Sequence, residues 1–308
     1  MLFTLLLSLQ LIQLYPTVII HGIASNKDDL NNFSSELSKQ INYTNKIYNM
    51  EIETGRFTSI FMNLNKQCEI FSNNIKNLNI TDEKINLIGF SQGGLIARCY
   101  VEKYASNIKN VNTLVTIATP NMGIYSNIFY PLGNIIKEYW KNPYKYNDYL
   151  KDNDFLVLIN NEKHHEDYFN YKNNINKLNN FLIIWSSVDN IIKPLESSKF
   201  EFYDIESASK YNKLVIQSLK NSSIYTNLDL ESLDQNKRLN FFQCDCKHEE
   251  FKLPKCFKNK MLLKTISHLI LGLAPKTVEG LKLLTTKSLD AIEWSSTSAD
   301  HFAFAYSV

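Results

Sequence analysis

In the stretch Ile85-Asn86-Leu87-Ile88-Gly89-Phe90-Ser91-Gln92-Gly93-Gly94-Leu95-Ile96-Ala97-Arg98-Cys99-Tyr100, an apolar run with strand character meets a glycine-flanked serine and then a helix-forming segment. A serine between strand and helix is the context of a nucleophile elbow. The turn holds the serine in strained backbone angles, and residues without side chains at Gly89 and Gly93 let the chain fold tightly and a substrate approach. A GxSxG string alone arises often by chance; the strand before it and the helix after it make it informative.

Outward from the elbow the chain alternates. Pro16 to Ile20 reads as a buried strand, Asp28 to Gln40 as a helix, Lys46 to Ile52 as a strand, and Asn63 to Asn77 as a helix with apolar residues at Leu64, Cys68, Phe71 and Ile75. The strand Lys84 to Ile88, the helix after Ser91 and the strand Thr113 to Ile117 continue the pattern. Continuous Val, Ile and Leu strands separated by helices predict an α/β fold with a mostly parallel sheet covered on both faces. From about 121 to 178 the alternation stops in a stretch dense in aromatics, among them Tyr125, Tyr139, Trp140, Tyr146, Tyr149 and Tyr168. Two readings stay open there: a helical and aromatic cap over the active edge of the sheet, or a subdomain whose rings fill its own small core. Strands resume at Asn180 to Trp185 and at Leu239 to Gln243, and one or two helices follow beyond Lys260.

The 308 residues, 44% of them hydrophobic, suffice for one large domain, expected over residues 15–266, with a tail of no assigned role at 267–308. Lys plus Arg total 33 against 31 for Asp plus Glu, a balance that argues against a nucleic acid partner. The apolar residues within 1–14 are too few to span a bilayer and sit where a secretory signal belongs, so no stable membrane span is expected. Sequons at Asn32, Asn42, Asn79 and Asn221 fit a lumenal protein, although abundant asparagine also produces sequons by chance. The five cysteines lack the paired CxxC spacing of a zinc site. In an oxidising lumen the expected pairs are Cys68 with Cys99 and Cys244 with Cys256, leaving Cys246 free, though spacing does not fix connectivity.

A serine hydroxyl needs a general base, and the base needs a carboxylate that orients it and stabilises its charged form. In strand–serine–helix enzymes the acid and then the histidine follow in chain order. The loop after the strand ending at Trp185 supplies Asp189, and the loop after the strand ending at Gln243 supplies His248. Asp154 and Asp204 are weaker acids for the role. His164 and His165 fall in the insertion, and His268 and His301 in the C-terminal region with no strand just before them. The oxyanion of acyl transfer takes backbone N–H groups from the residue after the nucleophile, Gln92, and from the early loop His21-Gly22-Ile23, where Ile23 is the donor. His21 reads as structural. The chemistry calls for no metal and no organic cofactor.

The chain resembles the palmitoyl-protein thioesterases of the α/β-hydrolase superfamily. The resemblance rests on Ile20-His21-Gly22-Ile23, Gly89 to Gly94, Thr119-Pro120-Asn121-Met122-Gly123, Glu138-Tyr139-Trp140-Lys141-Asn142-Pro143, Phe155 to Asn160 and Phe200-Glu201-Phe202-Tyr203. It implies a lumenal or lysosomal enzyme that removes long-chain acyl groups from S-acylated proteins, with Ser91, Asp189 and His248 as its triad. This chain departs from the pattern beside the histidine, where Lys247, Glu249 and Glu250 stand in place of small or apolar residues. The rival readings are a lipase-like esterase using the same triad on an oxygen ester and a non-catalytic acyl-chain binding protein.

Overall fold

A computed structural model of the chain describes residues 14–41, 46–126, 136–257 and 260–271. The expected signal at 1–14 except its last residue, the sequon at Asn42, His301 and the tail beyond 271 lie outside these. Six strands form one sheet: β1 (Thr17–Ile20), β2 (Ile47–Met50), β3 (Lys84–Phe90), β4 (Asn110–Ile117), β5 (Asn180–Ser186) and, after an antiparallel ribbon of β6 (Phe202–Tyr203) and β7 (Ile216–Gln217), β8 (Leu239–Cys244). Their order is β2-β1-β3-β4-β5-β8 and every pair is parallel. The inner strands are buried nearly throughout because helices cover both faces, which is why they carry continuous rather than alternating apolar residues. The fold is that of an α/β hydrolase.

The order places the site. The chain runs from β1 outward to β2 and then returns to lay β3 on the other side of β1, so the strand order switches direction there. The loops that leave the carboxyl ends of β1 and β3 therefore diverge around a crevice, the position where open α/β sheets bind ligands. The loops after β5 and β8 leave the same sheet edge, aligned by the register that pairs Ser186 with Cys244.

Helices α1 (Asn31–Ile41), α2 (Arg56–Phe61), α3 (Leu64–Asn77) and α4 (Gln92–Lys103) flank this edge and the faces. On α3 the residues Leu64, Cys68, Phe71 and Ile75 are all buried, and the Asn63 side chain caps the helix by accepting from the Lys66 N–H at 3.0 Å. Helix α4 is buried on all sides from Gln92 to Glu102, being wedged between the sheet, α3 and the inserted segment. Cys68 and Cys99 form a disulfide between α3 and α4.

The inserted segment builds mainly its own core. Tyr146 and Tyr149 stack, and both donate to the buried Glu162 carboxylate at 3.0 and 2.7 Å, where Lys141 Nζ also lies at 2.6 Å. The fully buried Arg98 of α4 donates to the Asn121 carbonyl, the Ile159 carbonyl, the Asn160 side chain and Glu102, and its guanidinium sits 4.7 Å from the Phe200 ring. The phrases at 119–123, 138–143, 155–160 and 200–203 thus converge on one polar network that docks the insertion on α4. Such a network is costly to leave half satisfied, which explains why these residues occur together. Among the insertion's described aromatics only Tyr139 lines the cleft; the others pack within the insertion or against the loops beside it.

Candidate active site

Ser91 has φ 52° and ψ −122°, a strained conformation for a residue with a side chain, enforced between a strand that ends at Phe90 and a helix that begins at Gln92. Its N–H donates to the Ile117 carbonyl of the neighbouring strand at 2.8 Å, and its carbonyl accepts from the Gly94 N–H at 2.9 Å. A Cβ at Gly89 would run into the Gly93 and Gly94 backbone, and one at Gly93 into the carbonyls of Ile20 and His21. The turn is thus pressed against itself and against the end of β1.

The loops expected to carry the acid and the base meet Ser91. His248 Nε2 lies 2.9 Å from Ser91 Oγ, and His248 Nδ1 lies 2.8 Å from Asp189 Oδ2, with Asp189 and His248 both buried. The other Asp189 oxygen accepts from the Ile191 and Ile192 N–H groups at 2.8 and 3.0 Å, so the carboxylate is held rigidly. Three bonds tie the β5 and β8 loops together: His248 N–H to Asn190 Oδ1 at 3.1 Å, Cys246 N–H to Ser186 Oγ at 3.2 Å and Ser187 Oγ to Asp245 Oδ1 at 2.8 Å. In this arrangement Nδ1–H donates to Asp189 and the Nε2 lone pair faces the serine hydroxyl, the tautomer that general-base chemistry needs.

The charged neighbours of His248 have a local use. Glu250 accepts from the Lys247 N–H at 2.9 Å and pairs with Lys255, while Glu249 pairs with Lys252, so these residues close the short turn His248–Lys252 that presents the imidazole.

Gly22 packs directly on Ser91: a Cβ there would lie 3.0 Å from Ser91 Cβ. The following residue, Ile23, lines the same crevice as Ser91. The buried His21 donates from Nδ1 to the Gly22 carbonyl at 2.8 Å, and burial lowers its pKa.

The competing candidates lie elsewhere. Asp204 caps the helix Ile205–Tyr211 by accepting from the Ser207 N–H, and Asp154 is exposed. His165 bonds Asn161 and packs on Tyr171 within the insertion, and His268 sits on the helix Lys260–Ile270, which packs against α1 and β4.

The cysteine expectation needs one correction. Cys68 pairs with Cys99 as expected, but Cys256 pairs with Cys246 and the free thiol is Cys244. Cys244 belongs to the ladder of β8, and its thiol donates to the Trp185 carbonyl of β5 at 3.5 Å. Cys246, two residues beyond the strand, is in the loop that meets the helix Pro254–Phe257.

An apolar cleft of about 330 Å³ opens on Ser91 and His248. Ile23, Ile60, Phe90, Ile124, Ile192 and Phe251 line it, with Tyr139 at one side and the Glu249–Lys252 pair at another. Sequence reasoning missed the contribution of α2, which supplies Ile60; the segment is too short for a periodic signal.

A parallel sheet with a strained serine after its third strand, a histidine and an aspartate at the ends of later strands and an apolar cleft beside them defines an α/β hydrolase of the serine type. The chain belongs to the palmitoyl protein thioesterase family, whose model matches residues 16–248. It is 32% identical over 259 residues to palmitoyl-protein thioesterase 3 of Dictyostelium discoideum, covering 76% of this chain and 85% of that protein. It is also 27% identical over 210 residues to the lysosomal thioesterase PPT2 homolog of Drosophila melanogaster, covering 61% and 71% of the two chains.

Proposed function

We propose that this chain hydrolyses long-chain fatty acyl thioesters on protein cysteines through an acyl-serine intermediate. Ser91 is the nucleophile, His248 the general base and acid, Asp189 the group that orients and stabilises the imidazole, and the Ile23 and Gln92 N–H groups the oxyanion donors. His248 Nε2 takes the hydroxyl proton as Ser91 Oγ attacks the thioester carbonyl carbon. The tetrahedral oxyanion collapses, the C–S bond breaks, and the departing cysteine sulfur receives that proton. His248 then deprotonates a water that attacks the acyl-serine, and collapse of the second oxyanion returns the proton to Ser91 and frees the fatty acid.

The observation that carries the reading is the continuous line of hydrogen bonds from Ser91 through His248 to Asp189 at the edge of a cleft walled by isoleucine and phenylalanine. The names of the relatives supply the thioester, and the apolar walls suit an acyl chain. We further propose a lysosomal or secretory lumen as the site of action. Two disulfides, surface-exposed sequon asparagines at Asn32, Asn79 and Asn221, the apolar leader and the lysosomal thioesterase relatives support it.

The test is turnover of a palmitoyl-cysteine peptide by the wild type and by Ser91→Ala, with mass spectrometry of quenched wild-type reactions. A palmitoyl adduct on Ser91 and loss of turnover in the variant are expected; full activity of Ser91→Ala would refute the assignment. Comparison with the oxygen ester of the same chain separates a thioesterase from a lipase-like esterase.

A further inference from the structure

Helix α2 leaves no mark on the hydropathy pattern, yet it touches both halves of the proposed oxyanion site. Ser59, buried at 4% exposure, accepts the Ala24 N–H on its Oγ at 2.9 Å and donates that hydroxyl to the Arg56 carbonyl at 2.8 Å. Its own carbonyl accepts from the side-chain amide of Gln92 at 2.7 Å. One residue of α2 therefore grips the loop after β1 through its side chain and the first residue of α4 through its backbone.

The loop after β1 needs a grip. Ala24 has φ 55°, in the left-handed region that a residue with a Cβ occupies only when its surroundings hold it there. Both of its backbone polar groups are held by α2: the N–H by Ser59 and the carbonyl by Arg56 Nη1 at 3.0 Å. On the other side of Ile23, the Gly22 carbonyl is held by His21 at 2.8 Å, and the Ile23 N–H belongs to the same rigid peptide plane as that carbonyl. The direction of the Ile23 N–H is thus set by His21 before it and by α2 after it. Gln92 is held in turn through its amide, which donates to Ser59 and also to Gln67 at 3.3 Å and accepts from the Tyr139 hydroxyl at 3.2 Å.

We propose that Ser59 is a positioning residue that fixes the spacing of the two oxyanion donors, Ile23 N–H and Gln92 N–H. The proposal rests on the acyl-transfer reading above. A donor contributes most when it is already aimed at the position of the oxyanion, and small displacements of such groups are costly in rate. Ser59 touches neither substrate nor reacting atoms, so its removal acts on the transition state and leaves ground-state binding of the acyl chain nearly unchanged.

The experiment compares wild type, Ser59→Ala and Ser59→Thr on a palmitoyl-cysteine peptide, with palmityl trifluoromethyl ketone as an analogue that forms an oxyanionic adduct with Ser91. Ser59→Ala is expected to lower kcat by about 10- to 100-fold with little change in KM, and to weaken the ketone by a similar factor. Ser59→Thr, which keeps the hydroxyl, is expected to recover most of kcat. Unchanged kcat and ketone affinity in Ser59→Ala, or a rise in KM alone, would overturn the proposal and make α2 only a wall of the cleft. If Ser59→Ala does not fold, Ser59→Cys serves: a thiol is a poor acceptor for the Ala24 N–H, and a fall in kcat at unchanged KM is expected, with unchanged kcat overturning the proposal. The rate of Ser91 labelling by a fluorophosphonate gives a readout independent of the substrate. A wild type that labels but does not cleave thioesters would sink the functional reading, while slower labelling in Ser59→Ala would still support the clamp and equal labelling would still remove it.

Discussion

His248 Nε2 lies 2.9 Å from Ser91 Oγ although 157 residues separate the two in the chain. Four strand ends are needed to make that approach: β3 delivers the serine, β5 the aspartate, β8 the histidine and β1 the glycine loop that packs on the serine. Because the strands are parallel and in register, their carboxyl ends fall on one edge, and the hydrogen bonds between the β5 and β8 loops then fix residues far apart in sequence as neighbours.

Asp189→Asn should leave the fold intact and nearly abolish turnover. The asparagine oxygen can still accept from the Ile191 and Ile192 N–H groups, so the loop keeps its shape. Its amide then faces His248 Nδ1 as a donor, which drives the imidazole proton to Nε2 and leaves nothing to accept the serine proton. A loss in kcat of about 10⁴ is expected, with an unchanged melting temperature. Combining it with Ser91→Ala should be no slower than Ser91→Ala alone, since the residues act as one unit.

Acyl-chain selectivity should follow methylene burial. Each buried methylene is worth about 0.8 kcal/mol, which is about a fourfold gain in kcat/KM per carbon until the cleft is filled. A series of S-acyl peptides from eight to eighteen carbons measures the slope. Ile192→Trp, on the cleft wall, should move the break to shorter chains while leaving the shortest substrate unaffected. A flat series in the wild type would count against the cleft as the acyl site.

Peptide mapping without reduction should recover Cys68 joined to Cys99 and Cys246 joined to Cys256. The Cys244 thiol is buried and burial pushes its pKa up to about 12, so alkylating reagents should reach it only after unfolding. Cys246→Ser opens a loop with a sequence separation of 10 and should cost about 2–3 kcal/mol of stability. It should also lower kcat, because that loop leads directly into His248.

Stability should rise on mild acidification through Glu102. Burial pushes its carboxyl up to about 7 despite the Arg98 guanidinium 3.2 Å away, whereas in the unfolded chain it has an ordinary carboxylate value. Between those values the folded state binds the extra proton, so this group's contribution to stability falls as pH rises through that window and recovers as pH falls. Melting temperatures at pH 5 and pH 7.5 measure the difference, and Glu102→Gln should flatten it. A wild type and variant with parallel profiles would refute the assignment.

The elbow was legible because its signal is local. Val, Ile and Leu runs mark the strands, the glycines around Ser91 mark a turn in which any side chain would collide with backbone, and Asp189 and His248 could be chosen because each directly follows a strand. What escaped was short or nonlocal. Helix α2 has six residues and carries no repeat of the helical period, and the pairing of Cys256 with Cys246 rather than Cys244 depends on which cysteine the β8 ladder holds. The aromatic richness of the insertion suggested rings over the cleft, but ring identity does not tell which way a ring points. Glu162 and Arg98 draw the polar tips of Tyr146 and Tyr149 and the amide of Asn160 inward.

By itself, then, the chain's order of residues determined the alternation of strands and helices, the serine turn and the neighbourhoods of its acid and base, since each is set by interactions within a few residues. The tertiary structure decided the distances that make Ser91, His248 and Asp189 one hydrogen-bonded line, the apolar cleft beside them and the clamp of Ser59 on the loop and helix that flank it. Those depend on how parallel strands register and how helices pack across the sheet, and such long-range geometry arises only when the whole core closes.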